Sequence, residues 1–149
     1  MKEIKLTRGK VALVDDADFE WLNQWKWCIL QSRKLYAQRS RGKGKILMHR
    51  LILNTPKELH TDHIDGDGLN NQRANLRVAN RQQNGINRPQ NHNNSTGYKG
   101  VTKKNDYFVA QLGFKGGNIR IGSFKTAEEA HQAYVEKAQE LFGNFAHIL

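Results

Sequence analysis

An asparagine-rich stretch at residues 84–95, NGINRPQNHNNS, constrains the fold of this chain more than any other feature of its sequence. Five of its twelve residues are asparagine, and Pro89 ends any helix that runs into it. A segment of this composition cannot bury apolar surface, so we expect a polar linker at residues 89–96. The chain of 149 residues should therefore form two small units, residues 1–88 and residues 97–149.

The charge of the chain favours a polyanionic partner. It has 24 Lys and Arg residues against 14 Asp and Glu residues, a formal net charge of +10, which makes nucleic acid the leading candidate. The basic residues are concentrated in segments 26–50 and 68–105, neither of which contains an acidic residue. Between these segments lie Asp62, Asp65 and Asp67. A carboxylate cluster in a basic chain suits a metal-dependent enzyme acting on phosphodiesters, and a solvated turn is an equally open interpretation.

The sequence argues against several classes of protein. No apolar run approaches the roughly 20 residues that span a bilayer. The first ten residues are not followed by the apolar stretch of a signal peptide. Cys28 is the single cysteine, which excludes a disulfide framework and a Cys-rich zinc site. We therefore expect a soluble, intracellular protein that is not secreted and does not contact a membrane.

The N-terminal part of the chain predicts a short α+β unit. Residues 11–14 have the composition of a strand, and Asp15 or Asp16 can cap the helix that follows. Alternation at residues 25–30 predicts a second strand, which residues 35–40 could join across a polar turn. The three tryptophans of this unit are expected to fill its core, with base stacking as the alternative.

Beyond the linker, the sequence predicts a three-stranded antiparallel sheet packed on one helix. Residues 107–114 alternate between apolar and polar side chains, and a glycine-containing turn leads to a second strand with Arg120 facing outward. Residues 100–104 supply the remaining strand. Thr126 and Glu129 form a capping box, and small or apolar residues then recur at helical spacing.

The most informative segment is residues 61–84, TDHIDGDGLNNQRANLRVANRQQN. Asp62 and His63 are followed by a pair of asparagines, by Asn75 within NLR, and by Asn84. Together with the upstream segment MHRL, this ordered set resembles the HNH endonucleases, in particular their homing-endonuclease branch. The resemblance covers residues 49–88 closely and the N-terminal segment more loosely.

This resemblance implies a ββα-metal (His-Me finger) fold with its core at about residues 59–88. It implies Asp62 and Asn84 as the ligands of one divalent ion per chain, and oxygen donors suit Mg²⁺ or Mn²⁺. His63 would be the general base that takes a proton from the attacking water, because an ordinary imidazole is mostly neutral at about pH 7 to 8. The family assigns Asn75 to orienting that imidazole, through a side-chain or backbone hydrogen bond across the turn.

Neighbouring polar residues have structural interpretations. Asp65 and Asp67 lie in a glycine-rich loop and are expected to form turns rather than bind metal. Asn70 and Asn71 are expected to hold the loop through backbone hydrogen bonds. His49 could touch DNA or the active site, but its apolar surroundings favour packing within a helix.

Residues 97–146 resemble the AP2 (ERF-type) DNA-binding domain. The matching text is GV at 100–101, FVAQL at 108–112, RIGSF at 120–124 and TAEEA at 126–130. In that family the sheet lies in the major groove of DNA and the helix packs behind it. Lysines of the sheet would mainly contact phosphates, while Arg120 and Gln111 could reach base edges. The residues expected on this DNA-binding surface are Lys99, Lys103, Lys104, Tyr107, Gln111, Lys115 and Arg120.

The two resemblances predict a metal-dependent endonuclease with a separate DNA-binding module. We expect it to act on double-stranded DNA as a monomer or weak homodimer, as a homing-type or phage-associated nuclease in the cytoplasm of a host cell. The alternative is a DNA-binding protein without catalysis, which would have no need to keep Asp62, His63 and Asn84 together. An RNA-binding module is weaker still, because no aromatic stacking motif of the RNA-recognition type is present.

Overall fold

The computed structural model describes residues 1–86 and 93–146. The chain divides into two compact units, residues 1–81 and 82–149, and each has its own hydrophobic core. Residues 89–92 of the expected linker lie outside the described residues. Both units combine helices with small antiparallel sheets, so the chain is a mixed α/β protein.

The first unit contains three small antiparallel sheets and two helices. Its elements are β1 (Lys2–Lys5), β2 (Val11–Val14), α1 (Asp16–Asn23), β3 (Cys28–Gln31), β4 (Leu35–Arg41), β5 (Gly44–Leu47), α2 (Met48–Ile52), β6 (His60–His63) and β7 (Leu76–Ala79). Strand β1 pairs with β2, β6 pairs with β7, and β4 is the central strand between β3 and β5. Apolar side chains from β1, β2, α1 and α2 meet in one core.

The second sheet begins later than its alternation predicts. Strand β3 starts at Cys28 rather than at residue 25, because the chain first folds back onto α1. Trp27 is buried there, and its indole N–H donates to the carbonyl of Leu22 at 2.9 Å. Trp25 packs edge-to-face against Trp27 at 6.4 Å. The expectation that tryptophans fill the core is thus confirmed for Trp27. Strand β1, which the sequence analysis did not predict, is a separate addition to this unit.

The loop between β6 and β7 is attached to the N-terminal hairpin. The amide of Leu13 donates to the carbonyl of Leu69 at 2.9 Å, and the amide of Asn71 donates to the carbonyl of Leu13 at 2.8 Å. Asp15 precedes α1 but makes no side-chain cap to it. Its carboxylate instead accepts from the backbone amide of Arg73 at 2.8 Å. The side chain predicted to cap α1 therefore binds the β6–β7 loop instead. Strand β2 also pairs with that loop through its backbone, at Leu13.

The second unit is built on a three-stranded sheet and a long helix. Its elements are α3 (Arg81–Ile86, which starts at the last residue of the first unit), β8 (Val101–Lys104), β9 (Tyr107–Phe114), β10 (Gly117–Phe124) and α4 (Ala127–Phe142). The strand order is β10–β9–β8, all antiparallel. Helix α4 packs on this sheet through Ala130, Tyr134 and Ala138, and Ile86 belongs to the same core. Thr126 and Glu129 form the predicted capping box, and Gly143 ends the helix.

None of the helices in residues 1–86 and 93–146 is both long enough and apolar enough to cross a membrane.

Candidate active site

Strand β6 carries the predicted metal ligand and the predicted base at its last two positions. Asp62 and His63 are 6% and 5% exposed, and they lie opposite Arg77 and Leu76 of β7. One carboxylate oxygen of Asp62 accepts a hydrogen bond from Arg77 Nε at 2.9 Å and forms an ion pair with Arg77 Nη2 at 2.8 Å. Because successive residues of a strand face opposite ways, the side chain of His63 has different neighbours. Asp62 is therefore a buried carboxylate whose charge Arg77 balances.

Two rings lie against the predicted base. The ring of His49, on α2, lies 5.0 Å from that of His63 in an edge-to-face arrangement. The ring of Tyr36, on β4, lies 5.8 Å from that of His63 and 5.4 Å from that of His49. The preferred interpretation of His49 as a helix-packing residue was therefore incomplete, because its ring also lies against the predicted base.

Burial sets the protonation of both imidazoles. It lowers the pKa of His63, even though the contact with Asn71 and the charges of the nearby aspartates act in the opposite direction. It also lowers the pKa of His49 to about 3, with the positive charges of His63 and Arg50 acting in the same sense. Both rings are thus neutral at pH 7, and a neutral imidazole has the lone pair that a general base needs.

Asn75 holds the turn that follows the predicted base. Its side-chain oxygen accepts from the amide of Asp65 at 3.0 Å, and its side-chain nitrogen donates to a carboxylate oxygen of Asp65 at 2.9 Å. The same nitrogen donates to the carbonyl of Asn70 at 2.8 Å. The Asn75 carbonyl accepts from the amide of Ile64, the residue after His63, at 2.8 Å. Asn75 thus acts on the backbone beside His63, and its orientation of the imidazole stays a prediction.

Asp65 and Asp67 organise the loop in the way the sequence predicted. Asp65 accepts from the amide of Asp67 at 2.8 Å and from the side chain of Asn70 at 2.7 Å, and Asp67 accepts from the amide of Leu69 at 2.9 Å. Partial burial opposes ionisation of Asp65, but the hydrogen bonds from Asn70, Asp67 and Asn75 prevail and lower its pKa. These carboxylates therefore serve as acceptors within the turn.

Asn71 is closer to the predicted base than sequence reasoning indicated. Its side chain is completely buried, and its amide nitrogen donates to the carbonyl of Leu69 at 3.0 Å. That bond turns the amide oxygen toward His63, whose Nε2 lies 3.5 Å away. The sequence assigned Asn71 a purely structural role, and only its place as the second asparagine of a pair could have drawn attention to it.

The second predicted metal ligand, Asn84, lies on helix α3, in the second unit. Within residues 1–86 and 93–146, no group of three or more His, Cys, Asp or Glu residues is arranged to hold a metal ion. A single carboxylate and an amide do not form such a group, and Mg²⁺ is commonly held by one or two carboxylates together with substrate phosphates. Asp62 and Asn84 therefore stay predicted ligands, with oxygen donors suited to a hard cation.

The sheet of the second unit brings together four of the seven predicted DNA-binding residues. Pairing of Gln111 with Arg120 places both on the face away from α4, opposite the buried Ala110 and Leu112. Pairing of Lys104 with Tyr107 adds these two residues to the same open face.

The other three predicted DNA-binding residues lie elsewhere, which corrects the expectation. Lys103 pairs with Phe108, so it shares the face that packs on α4, although it is exposed. Lys115 has a φ of 49° and forms the β9–β10 turn with Gly116, beyond the end of the strand. The ammonium group of Lys99 donates to the carbonyl of Ile86. Alternation along β9 did not define the positions of Lys99 and Lys115, whereas the period of strand β8 by itself separates Lys103 from Lys104.

Comparison with known proteins agrees with the geometry of the first unit. Residues 54–86 match the family profile described as HNH endonuclease. An uncharacterized HNH endonuclease of Acanthamoeba polyphaga mimivirus is 35% identical over 154 residues, an alignment that covers 95% of this chain and 76% of the relative. No solved structure matches the chain. Strands β6 and β7 and helix α3 lie within the matched segment. The chain is therefore a nuclease that belongs to the HNH endonuclease family.

Proposed function

We propose that this chain is a divalent-metal-dependent endonuclease that hydrolyses phosphodiester bonds of double-stranded DNA, with His63 as its general base. The observation that carries the proposal is the pairing, at the end of β6, of a buried carboxylate with a buried neutral imidazole. The two side chains have separate neighbours, Arg77 for Asp62 and a ring cluster for His63. One residue can thus hold a cation while the next accepts a proton.

Asn71 is the residue that supports the tautomer of His63 in this proposal. Its amide oxygen faces Nε2 of the imidazole, and an oxygen in that position accepts a hydrogen bond from Nε2–H. A neutral imidazole protonated at Nε2 keeps its lone pair on Nδ1. His63 therefore takes the proton of the attacking water at Nδ1, and Asn71 and Asn75 restrict the ring and the turn behind it.

Asp62 and Asn84 are the proposed ligands of one Mg²⁺ or Mn²⁺ ion per chain, since HNH nucleases generally use a divalent ion. Asp62 fits this role because it is a buried carboxylate at a strand end, where Arg77 already balances its charge. When bound, such an ion stabilises the negative charge that develops on the phosphate and on the leaving 3′ oxygen. The products are then a 5′-phosphate and a 3′-hydroxyl. With one such site per chain, a single copy nicks one strand.

The second unit is proposed to be an AP2-like module that binds DNA through its open sheet face. Lys104 and Arg120 supply positive charge there, and Gln111 and Tyr107 supply polar groups on the same face. Of these, Arg120 and Gln111 have the side chains that read base edges, whereas Lys104 is suited to a phosphate. This division gives target choice to the sheet of the second unit and proton transfer to His63 of the first unit.

Plasmid cleavage by His63→Ala and His60→Ala variants tests the proposal. His60 is an exposed histidine three residues earlier on the same strand, so it is a matched control. With Mg²⁺ or Mn²⁺, we expect His63→Ala to lose cleavage while it still binds DNA, and His60→Ala to cleave like the wild type. Undiminished cleavage by His63→Ala would remove His63 as the base. A wild-type chain that binds DNA but cleaves with neither ion would favour a DNA-binding protein without catalysis.

A further inference from the structure

Cationic side chains flank strand β4 of the first unit at both of its ends. Near its start, the ammonium group of Lys34 lies against the loop that follows His63, 3.2 Å from where a Cβ on Gly66 would stand. Beyond its other end, Lys43 in the turn and Lys45 on β5 are exposed. The strand therefore runs from the candidate active site to a basic tip.

The register of the sheet places one of these distal cations on the same face as the candidate active site. Tyr36 and Ser40 are four residues apart on β4, so their side chains share a face. The ring of Tyr36 contacts the ring of His63. Ser40 pairs directly with Lys45 of β5, and residues that face each other across antiparallel strands project to the same side. Lys45 is thus on the face that Tyr36 presents to His63.

The length of this path matches a short run of DNA backbone. Four residues of strand extend about 13 Å. One strand of a DNA duplex carries one phosphate per about 3.4 Å of helix axis. Because the strand also turns about that axis, the distance from Tyr36 to Ser40 spans at most about four nucleotides of one strand.

Within residues 1–86 and 93–146, the cations at the tip have no partner. Arg41, Lys43 and Lys45 are exposed, and among the described residues their side chains make no ion pair and no hydrogen bond. No acidic residue occurs anywhere between residues 26 and 50 to compete for them. Their charge is thus available to a polyanion, and its desolvation does not first require the loss of an internal ion pair.

We propose that the tip of the β4–β5 hairpin, Arg41 to Lys45, is a second DNA-contacting surface. It binds phosphates of one strand within about four nucleotides of the bond that is attacked. This inference rests on the proposed nuclease function. It assigns the first unit a sequence-independent hold on the duplex, separate from base reading by the second unit, because lysine and arginine contacts to phosphates carry no sequence information.

Salt-dependent binding by the full-length chain tests this surface. The probe is a DNA duplex of random sequence, without divalent ions, over a series of salt concentrations. The variant is Lys43→Gln with Lys45→Gln. The matched control is Lys5→Gln with Lys10→Gln, which removes the same charge from exposed, unpaired lysines of the β1–β2 hairpin. Loss of two phosphate contacts should reduce the slope of log K against log salt by about 1.8, with no such change in the control.

Two further readings separate the possible failures. Tryptophan fluorescence should be unchanged in both variants, since all four lysines are exposed. In a second duplex whose cleavage position has been mapped with the wild type, neutral methylphosphonate linkages within about four nucleotides of that position should weaken binding by the wild type and not by the hairpin variant. Equal salt-dependence slopes for the hairpin and control variants would refute the proposed phosphate contacts of the hairpin tip, whether or not the wild type cleaves. A reduced slope for the hairpin variant of a chain that never cleaves DNA would support the phosphate contacts and refute the proposed nuclease function.

Discussion

The buried imidazole of His49 should make the stability of the first unit fall as the solution is acidified. Its side chain packs against the rings of Tyr36 and His63, and burial lowers its pKa to about 3. In the unfolded chain the same group titrates near its ordinary pKa of about 6.5. Between these two values the unfolded state binds a proton that the folded state does not. Stability is therefore lost as the pH falls below about 6.5.

The expected loss is large relative to the stability of a small domain. A pH of 5 lies about 1.5 units below the pKa of the unfolded side chain, and each unit is worth about 1.4 kcal/mol of unfolding free energy. Acidification from pH 7 to pH 5 should therefore lower the free energy of unfolding by about 2 kcal/mol through His49 alone. The lowered pKa of His63 acts in the same direction. With a urea m-value of about 1 to 2 kcal/mol/M, the midpoint should fall by about 1 to 2 M.

Urea unfolding followed by tryptophan fluorescence measures this loss in the correct unit, because all three tryptophans lie within residues 1–81. The test variant is His49→Phe, which keeps a ring and removes the titrating group. Nδ1 of His49 is buried and has no hydrogen-bond partner in the described part of the chain, so the substitution breaks no bond seen at that atom. His60→Gln, at an exposed position, is the control that should keep the wild-type pH dependence. If His49→Phe lost as much stability between pH 7 and pH 5 as the wild type, His49 would not be the group responsible.

Three further predictions concern the loop, the base and the second unit. The guanidinium of Arg50 donates to three backbone carbonyls between α2 and β6, so Arg50→Ala should lower the free energy of unfolding by about 2 to 3 kcal/mol; an unchanged urea midpoint would show that these bonds do not hold the segment. Asn71→Asp keeps an oxygen facing His63 and should retain more of kcat than Asn71→Leu, with DNA affinity equal in both; equal kcat values would argue against a role in positioning the base. Arg120→Ala should change sequence preference in a random-site cleavage library while plasmid nicking persists, and an unaltered site preference would contradict base reading by the open sheet face.

Features fixed by neighbouring residues could be predicted from the sequence. The capping box of Thr126 and Glu129 is read from two positions three residues apart, and α4 begins where it indicates. The alternation of residues 107–114 gave strand β9 with the predicted bounds. Asp62 and His63 fall at the end of a strand, as their family pattern implies. In each case the determinant and the structure lie within a few residues of one another.

Features that depend on pairing or packing between distant segments could not be predicted. Arg77 binds Asp62 because the two residues are opposed in the β6–β7 register, and nothing in the sequence states that register. His49 reaches His63 only because α2 packs beside β6. The placement of Lys103 on the helix-facing side follows from its pairing with Phe108 across β8 and β9. Lys103 and Lys104 were expected on one surface, although successive residues of a strand face opposite sides of the sheet.

The Asp62–Arg77 pair determines what the first unit needs in order to fold. A carboxylate as buried as Asp62 would cost several kcal/mol if its charge were uncompensated. Arg77 supplies that compensation from within the same strand pair, with its own side chain 14% exposed. Folding of this unit therefore does not require a cation at Asp62, in contrast to small domains whose folding free energy is metal-binding free energy. If an ion were to bind Asp62, the carboxylate and the guanidinium would still balance each other, and the phosphate of the substrate would meet the full charge of the ion rather than a charge reduced by Asp62.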